Sequence, residues 1–456
     1  MEATVPDERP PAEAPSTFRE VFAQREFRAV LTASAFSWVG DYVAKAAVTL
    51  LVFQETKSVA LSAAAFAVSY LPWLVGGPLL AALAERYPYR RVMVACDLIR
   101  MALMLLIAIP QLPVQALLVL IFAATLANPP SQAARSALMP QILTGDRLVV
   151  GLSLNGSVSQ AAQVVGYLLG SAVAAINPVL ALLVNALTFG ASALLVRFGV
   201  RDRAPVMTSA HRSHLLRETG QGFRIVFGTP VLRAIAVLVF STVLFLIVPE
   251  GLAAGWANED GSGGLSAGMA QAVIMMANPI GFILGGLLVS RLFGPARRLA
   301  LMRPLAVLAP LALVPALLDP PPLVVALLAA LCGFAVAGMM PMANGLFVQA
   351  LPSEFRARAF GVMATGVQVI QGCAVMITGL LAERFAIPQV VGVWSAAGVL
   401  LMLVVALRWP AQETVDAAIA AAAAGNAEPP PGPTSGDTPA DATPQAGDDR
   451  RRHAVT

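Results

Sequence analysis

The stretch LVVALLAALCGFAVAGMM, residues 323–340, decides the fold because it contains no charged side chain. An α-helix needs about 20 predominantly apolar residues to cross the roughly 30 Å hydrocarbon core of a bilayer. The residues on either side are also uncharged, so the apolar run extends over 321–348. A run of this length predicts a membrane-spanning helix.

The composition of the whole chain agrees with a membrane protein. Of 456 residues, 57% are hydrophobic and 12% are charged, whereas soluble domains carry about 25% charged residues. This composition excludes an ordinary soluble enzyme and a disordered chain. An outer-membrane β-barrel is also excluded, because its strands would alternate apolar and polar residues and the apolar runs here are continuous.

Apolar runs of similar length recur along the chain and predict an all-α integral membrane protein with twelve transmembrane helices. The predicted spans are 27–53, 60–84, 92–110, 112–134, 148–175, 177–198, 231–254, 266–293, 299–318, 321–348, 357–382 and 387–409.

The placement of arginine predicts the orientation of these spans, because loops on the cytoplasmic side are enriched in Lys and Arg. Alternate loops are basic, and the loops between them carry acids such as Glu259 and Asp260. Both termini are therefore predicted in the cytoplasm and the chain in the inner (plasma) membrane. The net charge of +4 is spread over the ends of the apolar runs, so nucleic acid is not expected as a partner.

An internal repeat predicts two similar halves. Gly76-Gly77 recurs as Gly285-Gly286, 209 residues later, and Ala137–Pro140 recurs as Gln349–Pro352 at a nearly equal spacing. We therefore expect two six-helix pseudo-symmetric bundles. The predicted divisions are a cytoplasmic segment (1–26), an N-terminal six-helix half (27–198), a basic linker (199–230), a C-terminal six-helix half (231–409) and a disordered tail (410–456).

Residues 81–91, AALAERYPYRR, carry a motif between the second and third predicted helices. They resemble the signature Gly-x-Leu-Ala-Asp-Arg-x-Gly-Arg-Arg/Lys of the major facilitator superfamily, with Ala81 and Pro88 in place of the two glycines. The resemblance implies secondary transport by alternating access. It also implies a gating latch that does not touch substrate, made of Glu85, Arg86, Arg90, Asp97 and Arg100.

Two further stretches resemble particular members of this superfamily. Ser37-x-x-Gly40-Asp41 in the first predicted helix is similar to a motif of drug and siderophore exporters. The stretch 166–171 corresponds to the Gly-Pro-x-x-Gly-Gly motif of proton-coupled antiporters, but it lacks the proline and the last glycine. The resemblance therefore implies export, whereas the motif of antiport is incomplete.

The first predicted helix carries two ionisable residues, Asp41 and Lys45, within its apolar run. Each costs about 2.5–3.5 kcal/mol on insertion scales, so such residues face the protein interior or a watery cavity. They are four residues apart and thus neighbours on one helix face, which Ser34 and Trp38 continue. One interpretation is a structural ion pair. The other is that Asp41 titrates or binds a cationic substrate, which makes this pair the predicted proton-coupling or cation-binding site.

Uncharged polar and aromatic residues of the other predicted helices are candidates for a substrate cavity. With so few formal charges, the cavity is expected to favour hydrophobic or weakly cationic molecules, and Glu250 is expected at the membrane interface. The candidate cavity residues are Ser34, Trp38, Tyr70, Trp73, Asn128, Gln132, Asn155, Gln163, Gln271, Asn278, Asn344, Gln368 and Gln371.

The leading functional hypothesis is a proton-driven exporter of small molecules, with the lipid bilayer and protons as its other partners. An importer of a nutrient or lipid is the alternative, and a non-transporting membrane sensor is a third hypothesis. An enzyme is not expected, because the apolar runs contain no histidine and the chain has no Gly-rich nucleotide-binding loop. We expect a monomer without cofactor or metal.

Overall fold

The computed structural model describes residues 17–73, 87–144, 146–203, 215–258, 264–352 and 355–427, and every regular element in these ranges is a helix. The predicted all-α class is confirmed. In chain order the helices are α1 (Phe18–Ala23), α2 (Arg25–Thr56), α3 (Val59–Val68), α4 (Tyr89–Ile107), α5 (Val114–Thr125), α6 (Asn128–Ile142), α7 (Asp146–Ile176), α8 (Pro178–Gly199), α9 (Leu215–Gly228), α10 (Pro230–Leu246), α11 (Val248–Trp256), α12 (Ala267–Leu292), α13 (Pro295–Leu311), α14 (Pro322–Gln349), α15 (Arg356–Leu381), α16 (Ile387–Leu407) and α17 (Gln412–Ala427), with a 3-10 helix at Val314–Leu318.

Within the described ranges, ten helical segments are long and apolar enough to cross a membrane. Consecutive helices such as α5 and α6, or α10 and α11, form one span in this count. The second predicted span is described only up to Trp73, and the third forms α4, which carries Asp97 and Arg100 and is therefore less apolar. The helical membrane fold is confirmed, and the number of twelve spans stays a prediction.

Side-chain caps begin several of the helices where the sequence supplies them. Ser58 accepts a hydrogen bond from the N–H of Leu61 at the start of α3, and Ser266 accepts one from Met269 at the start of α12. Asn177 accepts from two N–H groups of α8 and is followed by Pro178, whose missing N–H costs nothing at this position. The capping residues therefore fix where these helices begin.

Proline interrupts the predicted seventh span. Pro249 has no N–H to donate to the preceding turn, and the chain forms α10 and α11 on either side of Ile247. Glu250 lies in the first turn of α11. The interruption therefore places the carboxyl group of Glu250 at the beginning of a helix and not in the middle of one.

The described residues divide into two sets at the stretch between α8 and α9. We call residues 17–203 the N half and residues 215–427 the C half. Three of the buried apolar clusters draw on the N half alone, and the largest draws mainly on the C half. The largest also includes Phe66, Tyr70 and Tyr167 of the N half, so the core is continuous where the halves meet.

The halves contact each other at one end of the molecule, which we call the hairpin end because α2 turns into α3 there at Lys57. Ser58 donates a hydrogen bond from its Oγ to Oε1 of Glu383 at 2.5 Å, and the N–H of Ala60 donates to the same oxygen at 2.9 Å. A Cβ added at Gly268 would lie 2.2 Å from that of Ala175. The helices α7 and α12 are thus in close contact at this end.

The opposite end, where α2 begins and α8 ends, is called the terminal end. Positions on α7 and α15 toward this end, Gly156 and Gly361, have no atom within 4 Å of an added Cβ. At this end Arg203 pairs with Glu26 and Arg90 pairs with Asp202 at 2.8 Å within the N half, and Arg358 donates to Gln221 at 2.9 Å within the C half. The halves are therefore packed together at the hairpin end, and toward the terminal end α7 and α15 each have a position that no other side chain or helix approaches.

The predicted linker and the predicted tail both contain a helix, which differs from the expectation of disorder only in the tail. The predicted linker contains α9, whose Gly222 would place a Cβ 2.8 Å from the carbonyl oxygen of Arg358 on α15. Residues 412–427 of the predicted disordered tail form α17, because their alanine-rich sequence has high helix propensity. Val415 of α17 is buried in the largest apolar cluster. Residues 428–456 lie outside the described ranges.

Candidate functional site

A cavity of about 240 Å³ lies beside the middle of α2, mostly within the N half. Its lining combines aromatic, apolar, amide and charged side chains, and Gln368 of α15 is the contribution of the C half. The lining residues are Ser37, Trp38, Asp41, Tyr42, Ala44, Lys45, Val48, Ala65, Ser69, Trp73, Arg100, Met104, Ile121, Ala124, Thr125, Asn128, Ser131, Gln132, Arg135, Ser159, Phe189 and Gln368.

Asp41, whose side chain is 22% exposed, forms an ion pair with the buried Arg100 of α4. Arg100 also donates to Oγ of Ser37 at 3.0 Å and lies 3.7 Å from Asp97, and its guanidinium carbon lies 4.0 Å from the ring centre of Phe189. Asp97 is 1% exposed. Two carboxylates thus share one arginine. Arg100 and Asp97 are buried, where an unpaired charge is costly, whereas Asp41 is partly exposed to the cavity.

The close approach of α8 completes this cluster. Ser192 of α8 donates to Oδ2 of Asp97 at 2.6 Å. A Cβ at position 40 would lie 2.3 Å from Oγ1 of Thr188 and 2.5 Å from Oδ1 of Asn185. Gly40 therefore allows α8 to pack against α2 next to Asp41. This close packing explains why a glycine precedes the aspartate.

Lys45 does not form the ion pair with Asp41 that its spacing on α2 suggests. Its Nζ donates to the hydroxyl of Tyr70 at 3.3 Å and lies 4.4 Å from the centre of that ring. The rings of Tyr42 and Phe66 lie 5.3 Å and 5.6 Å from the same nitrogen. Three aromatic rings therefore surround the ammonium group, an arrangement that favours a cation through the ring quadrupoles.

Among the residues predicted as one gating latch, the described Arg90 and Arg100 do not lie together. Glu85 and Arg86 lie outside the described residues. Arg90 contacts Asp202 at the terminal end, whereas Arg100 lines the cavity and pairs with Asp41. The physical reason is the helix rise of about 1.5 Å per residue, which places Arg100 about 15 Å further along α4 than Arg90.

Glu250 is a candidate residue whose place differs from the expectation. It was expected at the membrane interface, but it is 3% exposed. Its Oε2 accepts a hydrogen bond from the hydroxyl of Tyr167 at 2.6 Å, and Gln163 also hydrogen-bonds to its carboxyl group. Because Tyr167 belongs to the N half, this carboxyl group bridges the halves. A proline immediately before a glutamate in an apolar run was the available signal.

The other predicted cavity residues are divided between the cavity, the contact between the halves and separate positions. Gln271 donates to the carbonyl oxygen of Ala46 across the halves at 3.1 Å, and Asn278 donates to that of Leu246 at 3.0 Å within the C half. The cavity contains Trp38, Trp73, Asn128, Gln132 and Gln368, and its lining does not include Ser34, Tyr70, Asn155, Gln163, Gln271, Asn278, Asn344 or Gln371.

The cavity carries more charge than the sequence suggested. Asp41, Lys45, Arg100 and Arg135 all line it, so the expectation of few formal charges is wrong. The guanidinium carbon of Arg135 lies 4.9 Å from the ring centre of Trp38. This arginine reaches the cavity because α6 continues to Ile142, beyond the predicted end of its span.

Comparison with known proteins identifies the family. The family model described as Major Facilitator Superfamily matches residues 30–328. The chain belongs to the major facilitator superfamily. No curated protein sequence matches this member of the superfamily at a significant level.

Solved transporter structures share the fold of this superfamily member. A mutant of the nucleoside transporter NupG superposes with a TM-score of 0.67 at 15% identity and covers 83% of this chain and 98% of its own. A POT family transporter in complex with a thioalcohol conjugated peptide gives 0.67 at 12% identity, with 84% and 96% covered. A bacterial homolog to the human lysosomal transporter Spinster, in an inward-facing and unoccupied conformation, gives 0.62 at 13% identity, with 91% and 100% covered. The chain is a multi-pass membrane transporter and not an enzyme.

Proposed function

We propose that this superfamily member is a proton-driven exporter of amphiphilic small molecules, hydrophobic or weakly cationic in character. The observation that carries the proposal is Asp41, which lies in a cavity lined by Trp38, Trp73 and Phe189 and shares Arg100 with Asp97. The aromatic and apolar lining suits the body of an amphiphile. A proton or a basic group of the substrate would compete with Arg100 for Asp41.

We propose alternating access between the halves as the mechanism. Their contact at the hairpin end and the open space at Gly156 of α7 and Gly361 of α15 support one state of such a cycle. Rocking of the two halves would expose the cavity first at one end and then at the other. In this proposal the protein acts as a monomer in the inner membrane, each half contributes six helices, and the terminal end faces the cytoplasm.

Replacing Asp41 by asparagine is expected to abolish transport driven by a pH gradient while the protein still inserts into the membrane. Arg100 retains Asp97 and Ser37 as partners, so the fold should survive. The assay follows the movement of the lipophilic cation tetraphenylphosphonium across inverted membrane vesicles under an imposed pH gradient. The rate of this movement is expected to fall about tenfold or more.

The matched control is Asp319→Asn, the same substitution at an exposed position between the 3-10 helix and α14. Asp319 has a left-handed backbone, which asparagine also tolerates. This variant should transport as the unmodified protein does. The assignment to Asp41 fails if both variants move the cation equally well.

A second candidate function is import of a nutrient or lipid that bears an acidic group. Arg135 favours it, because this cavity residue is 6% exposed and its Nε has no hydrogen-bond partner among the described residues. A guanidinium binds carboxylate or phosphate groups in a bidentate manner. The vesicle assay with a dansylated fatty acid beside tetraphenylphosphonium separates the two functions, because export and import give opposite directions of movement under the same gradient.

A further inference from the structure

Glu250 and Tyr167 form a buried hydrogen bond between the two halves. The carboxyl group is 3% exposed and the tyrosine is fully buried. The acceptor lies on α11 of the C half and the donor on α7 of the N half, 2.6 Å apart. Any movement that separates the halves at the hairpin end must break this bond and admit water to the carboxyl group.

The ionisable groups around Glu250 come from several packed helices. Lys45 acts on it electrostatically, but no ion pair joins the two in the described part of the chain, and the Nζ of Lys45 donates to Tyr70. The ring centre of Tyr42 lies 5.0 Å from that of Tyr167. The groups that interact with Glu250 are Tyr42 and Lys45 on α2, Tyr70 beyond α3, Tyr167 on α7 and Cys332 on α14.

The remaining helices that pack against α11 bring no charge to this position. The sequence of α16 contains no ionisable residue. The arginines of α10, α12 and α15 lie in their terminal-end turns, at Arg233, Arg291, Arg356 and Arg358. Among the described residues, Lys45 is thus the cation that acts on Glu250. Its ammonium group contacts the rings of Tyr42, Phe66 and Tyr70 instead of the carboxyl group.

Two effects decide the charge of Glu250. An ionised carboxylate removed from water is costly unless a cation contacts it, whereas a protonated carboxyl group can be buried with hydrogen bonds alone. The closed hairpin end supplies hydrogen bonds from Tyr167 and Gln163 and no contacting cation among the described residues. Opening that end would hydrate the group and favour its charged form.

We propose that Glu250 is a second proton-binding site, which takes up a proton as the hairpin end closes and releases it as that end opens. The inference deepens the proposed function, since it assigns a coupling site for the proton beyond Asp41. By linkage, a proton that binds the closed state more tightly shifts the equilibrium toward closure at low pH.

The test is a distance measurement between spin labels at the hairpin end. Labels replace Gln54 and Phe385, which are exposed, in a chain whose cysteines Cys96, Cys332 and Cys373 are changed to alanine. In lipid nanodiscs, lowering the pH from about 8.5 to about 5.5 should raise the ratio of short to long distances about threefold or more. Glu250→Gln, which still accepts from Tyr167, should give the short distance at every pH.

Two control variants make the result specific. Glu383→Gln removes the exposed carboxylate that joins the halves at Ser58 and Ala60. The hydrogen bond from Ser58 holds the pKa of Glu383 below its usual value of 4.5, so its contribution is lost only in acid below that value. Glu383→Gln should therefore weaken closure but retain the transition near neutral pH, and Asp319→Asn, at an exposed position outside the cavity, should retain it too.

A distance ratio that does not change with pH in the unmodified chain would overturn the proposal. So would a transition that persists in Glu250→Gln or disappears in Asp319→Asn. The measurement needs no transported substrate, so loss of the transition and loss of transport are separate results. Failure of the vesicle assay with an intact pH transition would overturn the proposed function and leave Glu250 as a proton site.

Discussion

Arg100→Gln is expected to destabilise the protein by about 3–5 kcal/mol, because it removes one side of a buried ion pair. Arg100 is 2% exposed and lies between Asp41 and Asp97. Without it, Asp97 retains a hydrogen bond from Ser192 but has no ion-pair partner among the contacts that the structure describes. Thermal unfolding of the detergent-purified protein, followed by the loss of the monodisperse peak, measures the effect.

Two matched variants show whether the charge itself is responsible. Arg91→Gln makes the same substitution on the same helix at a side chain that is 71% exposed and pairs with Asp202 at the surface, so its effect should stay within about 0.5 kcal/mol. Arg100→Gln combined with Asp97→Asn should recover part of the loss, because the buried carboxylate is then neutral. Equal stability of Arg100→Gln and Arg91→Gln would contradict the assigned role.

Gly281→Ala is expected to cost about 1–3 kcal/mol or more, because it overpacks a helix crossing. A Cβ at this position on α12 would lie 1.8 Å from the carbonyl oxygen of Ala330 on α14. The obstacle is backbone, so the helices must separate. Gly285 and Gly333 also lie close to the facing backbone, which makes this crossing an example of association through small residues in a membrane.

The control for this prediction lies on the same helix. Gly286 has no atom within 4 Å of an added Cβ, and alanine is the better helix former by about 1 kcal/mol. Gly286→Ala should therefore leave the unfolding temperature unchanged or raise it, whereas Gly281→Ala lowers it. The crossing would be assigned wrongly if the two variants unfolded at the same temperature.

Much of the fold could be predicted from the sequence because the bilayer imposes length and polarity on each helix. The uncharged run at 323–340 predicts a helix from its own composition, and Asn177 and Ser266 mark helix beginnings because they cap N–H groups a few residues further on. The interruption at Pro249 is also local in origin. The helix in the tail was missed because its polar flanks were given more weight than the helix propensity of alanine.

The candidate site could be predicted only in part, since sequence gives the position of a residue along a helix but not its partner. Asp41 is evident as an ionisable residue in an apolar run. Its partner Arg100 was grouped with Arg90 because both are basic residues of α4, although the helix rise separates them. Glu250 accepts a hydrogen bond from Tyr167 of the other half, and packing between the halves is not a local property of the sequence.

Alternating access requires the two halves to exchange contact at the hairpin end for contact at the terminal end. Spin labels at Gln54 and Phe385 report the hairpin end, and labels at Thr144 and Gln349, which are exposed at the ends of α6 and α14, report the terminal end. Both distances are measured in nanodiscs on the same cysteine-free background. A short distance at the hairpin end should accompany a long distance at the terminal end, and a condition that lengthens the first should shorten the second. Two distances that stay fixed under all conditions, or that lengthen together, would contradict alternating access in this protein.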